Sequence, residues 1–147
     1  RTGSAESPDL ALYYSAQNLY RMAEDYGEAG RAAYIQARFS FDILWPLVYT
    51  FFLVTAITWL FGRAFPEGSS WRLANLAPLI GMAFDFLENI STSLVMWRYP
   101  MTTPVVDSLA GVFTLLKWFF VGISMVLLVL GLTVAIYQGV RRKVKSV

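Results

Sequence analysis

An all-α integral membrane protein is the fold class this sequence predicts, and three observations predict it. Of 147 residues, 56% are hydrophobic and only 15% are charged, where a soluble domain carries about 25% charged residues. Two runs contain no charge at all, the nineteen residues from Ile43 to Phe61 and the twenty-three from Trp118 to Val140. About twenty apolar residues cross a bilayer as a helix. A third run, the twenty-five residues between Arg72 and Arg98, is broken only by Asp85 and Glu88. The predicted organisation is an external segment over 1–40, a helical bundle over 41–140 with spans at about 42–61, 74–97 and 110–138, and a basic tail over 141–147.

Residues 1–9 are small and polar and read as extended. Helical periodicity starts after Ser15. Ala16, Leu19, Tyr20, Ala23 and Tyr26 share an apolar face, and Gln17, Asn18, Arg21, Glu24 and Asp25 the opposite one. Ser15 is placed to cap the helix and Gly27 to stop it. At eleven residues this amphipathic helix is too short to span, so it is expected to lie along the interface or over the mouths of the spans. Glu28 opens a second helical run, read as continuous with the first span. In that run Arg31, Ile35, Arg38, Asp42, Trp45 and Tyr49 recur in steps of three and four and share a face. An Arg38–Asp42 ion pair one turn apart is the plain reading. The sharper one is a positively charged outer mouth for an anionic headgroup, formed by Arg31 and Arg38 above Asp42. Pro46, in the first turn within the membrane, removes a backbone hydrogen bond and can bend the helix.

The run Tyr26-Gly27-Glu28-Ala29-Gly30-Arg31-Ala32-Ala33-Tyr34, then Asp42 with Pro46 and Tyr49, then Asp85-Phe86-Leu87-Glu88-Asn89, resembles small multi-pass bacterial membrane proteins over about residues 13–137. The resemblance implies a helical bundle, a bacterial inner-membrane location and a further helix ahead of the external segment. It implies no activity.

Orientation follows from lysine and arginine. Arg63 and Arg72 lie between the first two spans, and Arg141, Arg142, Lys143 and Lys145 in the tail, against Arg98 and Lys117 in and beside the loop between the second and third spans. The positive-inside rule then places 62–72 and 141–147 in the cytoplasm and 1–40 and 98–108 outside. The tail could also anchor to anionic lipid on that same side. The numbering opens at Arg1 without a signal-peptide hydrophobic run, so a removed signal or an additional upstream span is expected.

The second span carries the most informative residues. Ala74, Pro78, Gly81, Asp85, Glu88 and Thr92 share a seam flanked by Asn89. Small residues let another helix approach, and carboxylates on the same face point into the bundle, where they are costly and commonly functional or paired. Counting about 1.5 Å per residue from Arg72, Arg63 and Arg141 puts Asp85 about 20 Å up, Lys117 about 36 Å up and Asp42 about 31 Å up. Two layers result, a deep one of Tyr49, Asp85, Glu88, Asn89 and Ser124 and a shallow one of Arg38, Asp42 and Lys117. Lys117 leans toward its own helix N-terminus and Glu88 the other way, so Lys117 is expected to snorkel to the surface or meet Asp42. The deep acids are left to share a proton with Tyr49, Asn89 and Ser124, to meet a cation from another subunit, or to line a hydrated pocket. Asp85, Glu88 and Asn89 also offer hard oxygen ligands for Mg²⁺ or Ca²⁺, too few on one helix to make a site alone.

The chain has no cysteine and no histidine, which removes disulfides, thiolate or imidazole metal sites, thiol catalysis and histidine-ligated haem. There is no phosphate-binding glycine loop, no G-x-S-x-G and no H-E-x-x-H. The basic tail is too short for nucleic acid and is explained by topology. Partners are therefore expected to be the bilayer and either other subunits or further copies of the chain. The leading functional expectation is a non-enzymatic accessory or scaffold subunit of a larger membrane complex. The alternatives are a small-ligand or lipid-acting protein, or proton or ion conduction, through Asp42, Asp85 and Glu88.

Overall fold

The computed structural model describes residues 11–145, with side chains through Arg141. The extended reading of residues 1–9 and the tail side chains from Arg142 onward lie outside the described residues. Four α-helices follow one another: α1 Ala16–Arg38, α2 Phe41–Ala64, α3 Leu76–Arg98 and α4 Val106–Lys145, with a short 3-10 helix Ser70–Asn75 leading into α3. Three helical stretches are long and apolar enough to cross a membrane, and no strand occurs among the described residues.

Ser15 caps α1 as its residue type predicts, its side chain accepting from the Asn18 amide. Gly27 breaks the helix with φ 63° and ψ −178°, after which it resumes. Only glycine adopts that backbone readily. The predicted faces are observed. Leu19 and Ala23 are buried, while Gln17, Asn18, Arg21, Glu24 and Asp25 are exposed. Leu19 and Ala23 pack with Tyr14 on Val95 and Met96 of α3 and Ala110 of α4, so α1 lies over the end of the bundle. Tyr20 Oη accepts from the Thr103 amide at 2.6 Å and donates to Asp107 at 3.0 Å, which ties the α3–α4 loop to α1.

The second run does not continue into the first predicted span. Phe39 and Ser40 leave helical geometry, Ser40 at φ −127°, ψ −88°. Ser40 Oγ donates back to Gln36 O at 2.8 Å, a local bond that competes with the helix ladder. The turn needs neither glycine nor proline, which is why the pattern did not show it.

Helices α3 and α4 are antiparallel along the small-residue seam: a Cβ on Gly81 would already touch Phe120 and Val121 at 3.4–3.5 Å. Helix α2 packs on α4 through Leu53, Ile57, Leu60 and Phe61, near Leu127 and Leu128. Gly131 permits the closest approach there, since a Cβ would meet Phe61 at 2.9 Å and Leu60 at 3.0 Å. By contrast Leu44, Trp45, Leu47 and Val48 at the start of α2 are exposed. The bundle is tight at the far end and open between α2 and α4 at the α1 end.

Candidate functional site

The two predicted layers are one cluster. Lys117 Nζ lies 2.5 Å from Glu88 Oε2 and 3.3 Å from Asp85 Oδ1. This corrects the expectation that Lys117 reaches away from both acids to the surface; it is buried. The depth count failed because its origin on α4 was wrong. Gly131 sits level with Phe61, so α4 runs well past the end of α2, and Arg141 lies beyond the level of Arg63. Counted from Gly131, Lys117 is about 21 Å up, level with Asp85. The deep acids thus have their cation within the chain.

Arg38 joins the cluster from α1. Its Nη1 is 3.0 Å from Asp42 Oδ2 and donates to Asn89 Oδ1 at 3.2 Å, with its guanidinium carbon 4.4 Å from the centre of the Tyr34 ring. The plain reading of Arg38–Asp42 as a helical ion pair is right in partner and wrong in setting, because the Arg38 side chain is 5% exposed. Arg31 does not line the mouth. It donates to Ala23 O at 2.9 Å across the Gly27 break and stacks on Tyr99. A positively charged mouth is therefore not formed: one arginine braces α1 and the other is engaged by Asp42 and Asn89.

Tyr14 closes the cluster from above. Its hydroxyl donates to Glu88 Oε1 at 3.2 Å. Burial, with the Glu88 carboxylate beside it, holds that hydroxyl well above the ordinary tyrosine range, so it stays a donor. The segment 11–15 can reach this far because Gly111 of α4 has no side chain where the Tyr14 carbonyl passes. Sequence reasoning missed Tyr14, which precedes the periodic run and whose partner is far away in the chain.

Beside the cluster lies a cleft of about 360 Å³, between the start of α2 and α4. Its charged side holds Arg38, Asp42, Asp85, Asn89 and Lys117. Its other walls are Trp45, Pro46 and Tyr49 of α2 and Trp118, Val121 and Met125 of α4. Tyr49 is where the stripe predicted it. Trp118, Val121 and Met125 were not singled out, although Lys117, Val121 and Met125 recur every four residues on one helix face. Ser124 is not among the lining residues; buried, it donates to Phe120 O at 2.7 Å within its own helix. Glu88 is not a lining residue either, since it lies behind Lys117 at 1% exposure.

For a metal ion the arrangement is poor. Among the described residues no group of three or more acidic, histidine or cysteine side chains is placed to hold one. Between Asp85 and Glu88, where a cation would sit, the Lys117 ammonium already does. Compared with known protein families, curated proteins and solved structures, the chain matches none.

Proposed function

We propose that the chain is an integral membrane protein whose cleft binds an amphiphile, head group at the Arg38–Asp42 and Lys117–Asp85 charges and hydrocarbon along Trp45, Pro46, Trp118, Val121 and Met125. The observation that carries this reading is the cleft itself, which sets buried charges at one side of an apolar, aromatic groove and opens between two helices. Its volume of about 360 Å³ lies within the range of small-molecule sites. Membrane insertion is supported by the large apolar side chains on the outside of the bundle, such as Phe51, Trp97, Val129 and Ile136; so large an apolar surface needs a cover. Arg63 stacked on Trp59 and Arg141 on Tyr137 supply interfacial anchors at the far end. By the lysine and arginine of the loops and tail the far end is cytoplasmic and the cleft serves the outer leaflet.

The accessory-subunit reading drew on small size, missing catalytic motifs, the small-residue seam and deep acids with no cation of their own; Lys117 removes the last of these and α4 occupies the seam at Gly81. Conduction needs a water path along the whole bundle, and the packing of Leu53, Ile57, Leu60 and Phe61 near Leu127 and Leu128 fills the far end. Binding is the reading left with a feature of its own.

Native mass spectrometry of the protein in non-ionic detergent tests it. The wild type should retain a lipid-sized molecule, and Met125→Trp, which fills the apolar wall from an already exposed position, should release it without loss of thermal stability. No retained molecule in the wild type, or retention unchanged by Met125→Trp, overturns the reading.

A further inference from the structure

The charges around the cleft are unequal in number and in reach. Two cations, Arg38 and Lys117, face three carboxylates, Asp42, Asp85 and Glu88. The side chains of both cations are nearly sealed, at 5% and 8% exposure, while Asp42 keeps 28% and Asp85 12%. Arg38 and Lys117 line the cleft as well, but the charged group most open to an incoming one is the Asp42 carboxylate. Lys117 lies nearer Glu88, at 2.5 Å, than Asp85, at 3.3 Å. The carboxylate it holds at the longer distance is the one that lines the cleft.

Two more features fit the same ligand. Trp45, Tyr49 and Trp118 line the cleft beside those acids, and aromatic faces attract cations. Asn89, 4% exposed and lining the cleft, gives its oxygen to Arg38, while its Nδ2 has no hydrogen-bond partner among the described residues. It offers one buried neutral donor to an oxygen next to the charge.

Resting on the amphiphile-binding reading, we infer that the ligand carries a positively charged amine head, with a hydroxyl or ester oxygen close to it, and that Asp85 and Asp42 select it. An anionic head group, the expectation from the arginine stripe, meets the wrong sign.

The test uses the full chain in phosphatidylcholine nanodiscs and three amphiphiles of one chain length: dodecylamine, dodecanol and dodecanoate, each brominated at the tail end. Binding is read as tryptophan quenching that disappears in Trp45→Phe/Trp118→Phe, at equal membrane concentration of probe. Dodecylamine should bind at least about tenfold more tightly than dodecanol, and dodecanoate weakest. Asp85→Asn should cut the preference for the amine to about threefold or less, and Asp42→Asn should lower it independently, so the test survives if one variant fails to fold. Equal or tighter binding of dodecanoate overturns the charge assignment while leaving the cleft as a binding site. An amine preference unchanged in both variants overturns the role of the two aspartates. Binding of none of the three overturns the amphiphile reading itself.

Discussion

Lys117→Gln removes the one ammonium shared by Asp85 and Glu88, with Glu88 at 1% and Asp85 at 12% side-chain exposure. Removing one partner of a buried ion pair costs about 3–5 kcal/mol, because the other charge stays behind. Here two carboxylates, Asp85 and Glu88, stay behind. The expected loss is therefore about 3–5 kcal/mol. Reversible unfolding in mixed micelles, followed by tryptophan fluorescence, measures this. Adding Glu88→Gln should recover at least about 1 kcal/mol, a coupling expected only of groups in contact. A loss under about 1 kcal/mol at pH 7, typical of an exposed pair, would refute the burial of Lys117 and with it the single-cluster description.

Gly27→Ala should cost about 1–3 kcal/mol although no neighbour lies within 4 Å of the new Cβ; thermal unfolding in detergent reads it, and a neutral result would mean that α1 is unbroken there. Gly111→Ala places a methyl group on the path of the Tyr14 carbonyl, so limited proteolysis should cut residues 11–15 faster than in the wild type, with a stability loss of about 1–3 kcal/mol. With no native cysteine, single cysteines at Thr102 and Glu67, both exposed, can be labelled by an impermeant reagent in intact cells. Thr102 should react and Glu67 should not, and the reverse pattern would invert the proposed orientation.

The three long apolar helices were legible because charge is absent from two of them over Ile43–Phe61 and Trp118–Val140 and breaks the other only at Asp85 and Glu88, and a missing charge is a signal that needs no partner. The α1 cap and break were legible for a different reason: Ser15 and Gly27 act through their own backbone. The Phe39–Ser40 turn was not, since only a serine bond to the preceding turn marks it. The site was half legible. Periodicity put Arg38, Asp42, Tyr49, Asp85 and Asn89 on faces that do converge, and all five line the cleft. Pairing across helices depends on their relative register, which the close approach at Gly131 sets and no single-helix count contains. Hence Lys117 was set aside as the cation for Glu88, although its residue type and approximate neighbourhood were visible.

The strap formed by residues 11–15 has a consequence for the order in which the chain matures. These residues are made early, yet Tyr14 bonds to Glu88, 74 positions later, and Tyr20 to Asp107, 87 positions later. Neither bond can form before α3 and the start of α4 have been synthesised and paired. A segment synthesised before both of its partners is thus among the last to dock, and such distant closures are slow in general. Until then the Lys117–Glu88 pair is uncovered on the side where Tyr14 will sit. The strap acts as a latch on a finished bundle, and a nascent chain arrested before Asp107 would expose it undocked.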